Sequence, residues 1–248
     1  MPGGMLIGIE DVASYLIQDG NRIVVDPAPG AEWANVRLFL LGSVMGVVLH
    51  QRGLLPLHAN AIVIDGQACA FMGHSGAGKS TLAACFHDAG YPVLADDVVV
   101  VSFDERGEPI VSPGIPRVRL WEAAVVGSGR DPADYELSYA GDEKYRKFDV
   151  PLSTVAETDR PLKAIVILAR GDVVSLEPMQ GVHAVEALVA NTYRGGYVPT
   201  LDQSKLHWES CLRLAKSTKV LRYVRPWSRD RMVGDLQLLI NSIGGNTD

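Results

Sequence analysis

The stretch Gly73-His74-Ser75-Gly76-Ala77-Gly78-Lys79-Ser80 combines glycines, a lysine and a hydroxyl at a spacing that can bind phosphate. It fits the pattern G-x-x-x-x-G-K-[ST], in which the glycines let the backbone curl so that several N–H groups point into one cavity. The positive end of a following helix dipole strengthens such a cavity. We therefore predict a phosphate-binding loop whose ligands are Gly73, Ser75, Gly76, Ala77, Gly78, Lys79, Ser80 and Thr81.

Lys79 and Ser80 carry the most specific chemistry of this loop. In loops of this pattern the lysine reaches the β- and γ-phosphates and the hydroxyl ligates Mg²⁺. Residues 67–72 predict a buried strand before the loop, and residues 80–89 predict a helix with one apolar face after it. A glycine-rich turn that carries a lysine by chance is the alternative, and the strand–loop–helix context argues against it.

Two adjacent carboxylates, Asp96 and Asp97, interrupt an apolar run that extends from Tyr91 to Val101. Solvated aspartates in a turn would give the same pattern. A strand that ends beside the phosphate loop would instead bring both carboxylates to the ligand. Adjacent strand residues point to opposite faces, so we expect the two side chains to have different neighbours and different roles. One can hold Mg²⁺ with Ser80, and the other can accept a proton from an attacking hydroxyl.

His58 lies at the start of a predicted hairpin strand. Asp65-Gly66 between the apolar runs 61–64 and 67–72 is a strong hairpin signal, so the strand before the phosphate loop has an antiparallel neighbour. His58 would then emerge near the aspartate pair, where it could orient one carboxylate or tune its pKa. An isolated histidine is more often a core or surface residue.

Composition limits the possible functions. A chain of 248 residues with 47% apolar and 21% charged residues predicts one large domain, or one domain with a small appendage. The net charge of −6 argues against a general nucleic-acid-binding protein. Cys69, Cys85 and Cys211 lack metal-ligand spacing and predict reduced thiols in the cytoplasm. The longest charge-free apolar run, residues 38–49, is too short to span a bilayer, so no membrane partner is expected.

The elements around these residues predict two parts. Residues 1–55 predict a small N-terminal subdomain, with a hairpin over 14–17 and 22–25 and an apolar helix over 31–51. Residues 56–248 predict the catalytic domain, which ends in helices over 182–193, 206–215 and 232–243.

Basic residues downstream could contact phosphate. Arg117 and Arg119 alternate with apolar residues and share one face of a predicted strand, which is either a solvated edge or a phosphate or peptide contact. Residues 125–140 are glycine-rich and predict a loop. The run 143–147 is either a solvated group of surface charges or a cluster that neutralises a transferred phosphoryl group or binds an acidic peptide. If one of its residues acts on the γ-phosphate, Arg146 is the first candidate and Lys144 the second.

The segments Leu57-His58-Ala59-Asn60-Ala61, Gly73 to Ser80 and Ala95-Asp96-Asp97 together resemble the catalytic domain of HPr kinase/phosphorylase in order, spacing and antiparallel lead-in. The resemblance implies an α/β fold with an HPr-kinase-like P-loop core. The core would hold a mixed, partly antiparallel sheet flanked by helices, akin to that of phosphoenolpyruvate carboxykinase. It also implies that ATP and Mg²⁺ are the cofactors.

The same resemblance implies residue roles. Lys79 and Ser80 would serve the phosphates and Mg²⁺, Asp96 would be the general base with His58 as its partner, and Asp97 would support the metal and the loop. The implied reaction is phosphorylation of a serine hydroxyl on a peptide or small protein, and homo-oligomers are possible. A small-molecule kinase and an ATP-binding regulatory module without transfer are the alternatives.

The chain lacks the long N-terminal domain of full-length HPr kinases. In this it is more similar to the short HPr-kinase-like enzymes of lasso-peptide biosynthesis, which phosphorylate a precursor peptide. The segment Gly53-Leu54-Leu55-Pro56-Leu57-His58 and the segment Pro116-Arg117-Val118-Arg119-Leu120-Trp121 also belong to this likeness.

Overall fold

A computed structural model of the chain describes residues 4–141, 143–226 and 232–244. The strands are β1 (Gly4–Ile9), β2 (Ala13–Gln18), β3 (Arg22–Pro27), β4 (Leu55–Leu57), β5 (Ala59–Ile64), β6 (Gln67–Met72), β7 (Val93–Ala95), β8 (Val99–Phe103), β9 (Pro109–Ser112), β10 (Arg117–Trp121), β11 (Glu136–Leu137), β12 (Lys147–Pro151), β13 (Arg160–Arg170), β14 (Ser175–Met179) and β15 (Lys219–Arg225). The helices are α1 (Trp33–Phe39), α2 (Met45–Gln51), α3 (Lys79–Asp88), α4 (Glu122–Gly127), α5 (Gly181–Ala190), α6 (Ser204–Ser217) and α7 (Met232–Gly244), with a π-helical turn (Leu40–Val44) between α1 and α2.

A nine-stranded mixed sheet forms the centre of the fold. Strand β13 pairs in parallel with β6 on one side and β15 on the other, whereas β5 pairs antiparallel with β6. The path continues as β4-β8-β9-β13-β6-β5-β7, and β14 pairs with β15. The predicted mixed sheet and the predicted hairpin around Asp65-Gly66 are confirmed. The phosphate loop therefore leaves the carboxyl end of a central strand.

Helices cover both faces of this sheet. Cover on both faces is needed because the apolar side chains of β6 point alternately to the two faces. Phe71 packs with Phe86 of α3 on one face, and Met72 lies on the opposite face in the cluster that contains Leu188 of α5 and Leu214 of α6. Burial of such side chains contributes about 1.5–3 kcal/mol each. The three predicted C-terminal helices are confirmed as α5, α6 and α7.

The N-terminal residues form a separate antiparallel sheet, β1-β2-β3, against the helical run from α1 to α2. Its core includes Tyr15, Ile17, Val36 and Val47. The predicted hairpin corresponds to β2 and β3, but the prediction missed β1. Leu6 in β1 is 68% exposed and two glycines flank the apolar run, so the sequence shows no clean alternation there.

The helical run Trp33–Gln51 is longer than residues 38–49, the charge-free stretch on which the prediction about membrane spanning was based. At 19 residues it is long and apolar enough to cross a membrane by length and composition, and half of its most apolar window is buried inside the protein. The core helix of a globular protein passes the same test. The expectation concerned only the charge-free run 38–49; the whole helix, by length and composition, is a candidate span.

The segment predicted as a loop over residues 125–140 carries short regular elements. It includes the end of α4 and strand β11, which pairs with β12 in a small sheet of order β10-β12-β11. Elements of two to six residues are too short to show a period in the sequence. This small sheet brings β10 and β12 beside the phosphate loop.

Candidate active site

The phosphate loop runs from β6 into α3 with the backbone shape that its glycines allow. Gly73 has φ +151°, and a Cβ there would lie 2.9 Å from the carbonyl oxygen of Leu168 in β13. Only glycine fits this close approach. Ala77 differs from the other predicted ligands because its methyl group is buried in the core and its N–H donates to the carbonyl of His74.

Lys79 is folded back over the loop. Its Nζ donates to the carbonyl oxygens of Gly73 at 2.7 Å and His74 at 3.2 Å. Burial lowers the pKa of Lys79, while Asp97 and Asp96 raise it. A bound phosphate would replace these two neutral carbonyl acceptors with a charged acceptor. The Lys79 ammonium group is therefore already in position to bind an anion.

Asn60 holds the start of α3 and was not predicted as a site residue. It is fully buried in β5, and its Nδ2 donates to the backbone carbonyl of Lys79. The hairpin strand thus fixes the backbone of the residue that is predicted to contact phosphate. A lone asparagine inside an apolar strand is the signal that could have identified it, since a buried amide needs a partner.

Asp96 and Asp97 lie in a bend between β7 and β8 rather than within a strand. Asp97 has φ +72°, a left-handed conformation that aspartate tolerates better than most residues. The two side chains have different neighbours, as predicted. The cause is the turn, whereas the prediction had attributed it to alternation along a strand. Backbone strain of this kind is typical of functional sites.

The Asp96 carboxyl group is buried beside Ser80. Its Oδ2 accepts a 2.9 Å hydrogen bond from the backbone N–H of Arg119, and the Ser80 hydroxyl donates to the same carboxyl group. Its Oδ1 is buried and has no hydrogen-bond partner. Burial is the main cause that raises the pKa of Asp96 to about 6, and the hydrogen bond from Arg119 partly offsets it.

The residues around Asp96 fit a magnesium ion. Magnesium prefers hard oxygen ligands, and the Asp96 carboxyl group, which keeps an unpartnered Oδ1, interacts with Ser80, the residue expected to bind the metal. A buried acceptor without a donor is costly unless a cation or water completes it. Within the described residues, no group of three or more His, Cys, Asp or Glu could hold a metal by itself, so the phosphates would have to supply further ligands.

Asp97 faces open space and contacts His58. The Nδ1 of His58 lies 3.1 Å from the carbonyl oxygen of Asp97 and 3.5 Å from its Oδ1. Because a carbonyl only accepts, Nδ1 carries the proton. Burial, followed by the charge of Lys79, lowers the pKa of His58 and keeps the ring neutral. The resemblance implied that His58 partners Asp96; the structure instead places it on Asp97.

Arg119 is the cation that the structure brings to this site. Its Nη1 donates to Asp97 Oδ2 at 3.0 Å, and its Nε lies 3.3 Å from Asp149 Oδ1 in β12. Asp149 also binds Arg117 and accepts a hydrogen bond from Ser138 at 2.6 Å. One aspartate therefore aligns both arginines on the shared strand face that the sequence predicted.

Arg146, the predicted phosphoryl contact, points elsewhere. Its guanidinium makes two 2.9 Å hydrogen bonds to Glu122 at the surface. The adjacent Lys147 lines the cavities at the phosphate loop instead. Lys147 is the first residue of β12 and Arg146 directly precedes it, and adjacent residues along a strand point to opposite faces. The assignment of Arg146 to the site is corrected to Arg119 and Lys147, and Lys144 is exposed at the surface.

A cavity of about 770 Å³ opens beside the first residues of the phosphate loop. It is lined by His58, Asp97, Arg119 and Lys147 and, from the N-terminal part of the chain, by the helical run around Gly42. A second cavity of about 410 Å³ lies between that helix and β8. Asp97 and Arg119 line both cavities, as well as the smaller one along the loop.

The N-terminal helix is fitted to the catalytic part by specific contacts. The ring of Tyr193 packs so closely on Gly46 that a Cβ there would lie 3.1 Å from it. Asn35 makes two hydrogen bonds to the backbone of Ala140, of 2.9 and 2.8 Å. Phe39 meets Tyr139 edge-to-face with ring centres 6.4 Å apart. The helix is therefore a wall of the large cavity.

Comparison with known proteins gives a limited result. No protein-family model matches the chain, and no curated protein matches it. Among solved structures, the fold is similar to the HPr(Ser) kinase/phosphatase from Coxiella burnetii, with 14% identity and a TM-score of 0.40 over 76% of this chain and 87% of that chain. A similarity of this degree assigns no role to any site residue, so the roles are argued from the geometry of the residues themselves.

Proposed function

We propose that this protein is a kinase that transfers the γ-phosphoryl group of ATP, with Mg²⁺, to a serine hydroxyl of a peptide or small protein. The observation that carries the proposal is the convergence of three groups at one point. Lys79 and Ser80 can hold the phosphates, Asp96 offers a buried unpartnered oxygen for a cation, and Asp97 faces a cavity large enough for an acceptor.

The phosphate loop supplies the donor side. The Lys79 ammonium lies at the Gly73 end of the loop, which marks where the β- and γ-phosphates bind. Ser80 and Asp96 would hold Mg²⁺, which supplies neutralisation of phosphate charge when bound. Arg119 contributes a second fixed positive charge beside Asp97, where charge on the transferred group spreads.

Asp97 is the proposed general base. It removes the proton from the acceptor hydroxyl as that oxygen attacks the γ-phosphorus, and the bond from phosphorus to the β–γ bridging oxygen breaks to release ADP. His58 donates its Nδ1 proton to the Asp97 carbonyl and so orients this residue. The proposal exchanges the roles that the resemblance implied for the two aspartates, because Asp97 lines the large cavity and the loop cavity, whereas Asp96 lines neither of these two.

The resemblance stated above extends the proposal to the acceptor. We infer that it is a serine of a lasso-peptide precursor, phosphorylated in the cytoplasm, where ATP is available and the three cysteines stay free. A gene for a short serine-containing precursor beside the gene for this protein would support this choice. Neighbouring sugar-transport genes would contradict it and favour a carrier protein as the acceptor.

Mass spectrometry of a peptide array tests the proposal. Serine-containing peptides are incubated with the protein, ATP and Mg²⁺, and the same peptides with alanine for serine are the controls. Transfer should appear on the serine peptides and be lost in Asp97→Asn, which should still bind ATP. ATP binding without transfer to any peptide would contradict the proposal. Transfer to a metabolite pool alone would indicate a small-molecule kinase.

A further inference from the structure

Trp121 and Tyr145 form an exposed aromatic pair beside the phosphate loop. Their ring centres are 6.4 Å apart, their planes differ by 25°, and the residues are 40% and 57% exposed. Exposed aromatic surface next to a polar cleft is typical of binding sites. Trp121 ends β10, the strand that carries Arg119 into the site. Its ring therefore has a fixed place relative to the reacting groups.

A cleft joins Trp121 of this pair to the phosphate loop, and Tyr145 lines the adjoining large cavity. The same small cavity is lined by Lys79, Ser80 and Thr81 and by Leu120 and Trp121. The Lys79 ammonium marks the β,γ end of a bound triphosphate, at Gly73. Thr81 lies at the other end of the loop, so the α-phosphate and the nucleoside leave past Thr81. Trp121 lines the same small cavity as Thr81.

Lys147 now covers part of the tryptophan. It is the cross-strand partner of Trp121 in the β10–β12 register, and its Nζ lies 5.0 Å from the ring centre. It also lines the phosphate-loop cavity. A phosphate attracts an ammonium more strongly than a ring face does, because a full opposite charge exceeds a quadrupole. Phosphate binding therefore draws Lys147 off the ring and frees stacking surface.

We propose that the Trp121–Tyr145 pair binds the base of the nucleotide whose phosphates occupy the loop, by stacking and with preference for purines. Purines present more ring area to an aromatic surface than pyrimidines do. This inference rests on the proposed function only in that a nucleotide occupies the loop; it does not require transfer. Base–aromatic stacking corresponds to about a 5- to 150-fold loss of affinity when the ring is removed.

Calorimetric titration with Mg²⁺ and either ATP or inorganic tripolyphosphate tests the inference. Trp121→Ala should weaken ATP binding by about 5- to 150-fold and should not weaken tripolyphosphate binding, because removal of the ring also releases Lys147 for phosphate. Trp121→Phe should restore most of the ATP affinity, because it keeps a ring. Trp208→Ala is the matched control, since Trp208 is equally exposed on α6, outside the phosphate-loop cavities. Tyr145→Ala provides a second variant that leaves β10 intact.

The outcomes separate this inference from the proposed function. Equal affinity of wild type and Trp121→Ala for ATP would overturn the stacking site, whether or not transfer occurs. A raised KM for the peptide acceptor with unchanged ATP affinity would overturn it too, and would assign the pair to the acceptor. Selective loss of ATP affinity in a protein that never transfers phosphate would support the stacking site and refute the kinase. Absence of binding by both titrants to the wild type would refute both.

Discussion

Replacement of Asp96 by asparagine should stabilise the protein at neutral pH. Burial raises the pKa of this carboxyl group from 3.8 to about 6. The folded state therefore retains a proton that the unfolded chain releases as pH rises above about 4. Above pH 6 both states are ionised, and the buried charge costs roughly 2 pKa units at 1.36 kcal/mol each, about 3 kcal/mol.

Asparagine removes this cost because it is neutral at every pH. Its side-chain oxygen can still accept from the Arg119 N–H. The amide nitrogen would take the position of Oδ1, where no hydrogen-bond partner is available. This lowers the stabilisation by about 1 kcal/mol. The net stabilisation of about 2 kcal/mol corresponds to a rise in Tm of about 4–8 °C for a chain of this size.

Thermal unfolding followed by circular dichroism from pH 4.5 to pH 8 measures this effect. The gain should be full above pH 6 and shrink as pH falls towards 4, because protonation then neutralises the wild-type carboxylate. Mg²⁺ with ATP should raise the Tm of the wild type more than that of Asp96→Asn. Asp97→Asn is the control and should not be stabilised, since it loses its ion pair with Arg119.

An Asp96→Asn variant that is no more stable than the wild type at pH 8 would refute the reasoning. The same conclusion would follow from a gain that is independent of pH. If the variant gained stability but kept its full response to Mg²⁺, the burial argument would stand and the metal assignment would fail.

Four further substitutions test other parts of the site and fold. Arg119→Ala should lower kcat about 10²- to 10³-fold with little change in ATP affinity, as steady-state kinetics would show; a change in KM for ATP alone would contradict its role beside the transferred group. His58→Gln should retain more activity than His58→Ala over the range pH 6–8, because an amide can still donate to the Asp97 carbonyl; equal rates for the two would count against orientation by that bond. Asn35→Ala should raise the KM for the acceptor about tenfold at unchanged ATP affinity, since it frees the wall of the large cavity. Asp235→Ala should cost about 3–5 kcal/mol in urea unfolding, because it leaves Arg225 buried without its 2.6 Å partner; a loss below 1 kcal/mol would refute this.

The local structure around the predicted phosphate loop could be predicted from the sequence because it lies in one short stretch. Lys79 and Ser80 follow a strand and begin a helix, and this context fixes their geometry. The closeness of the aspartate pair to the loop also followed from strand order. Their individual partners did not, because they depend on the left-handed backbone of Asp97.

The acceptor side depends on contacts between distant residues, which no local pattern encodes. Arg119 was placed on the correct strand face, but its link to Asp149 requires the β10–β12 register across 30 residues. Arg146 was preferred because a run of charges does not show which of two adjacent residues, Arg146 or Lys147, faces the site. The hydrogen bonds between Asn35 and Ala140 join residues 105 positions apart, and no local sequence pattern predicts them.

The position of the N-terminal helix would divide the proposed donor and acceptor between separate stretches of chain. In the proposed function residues 73–81 contact ATP, whereas one wall of the large cavity comes from the helical run around Gly42. Substitutions on the cavity side of that helix would then change which hydroxyl is chosen without altering how ATP is held. Acceptor choice could be re-engineered by exchange of this one helix while the phosphate loop is kept.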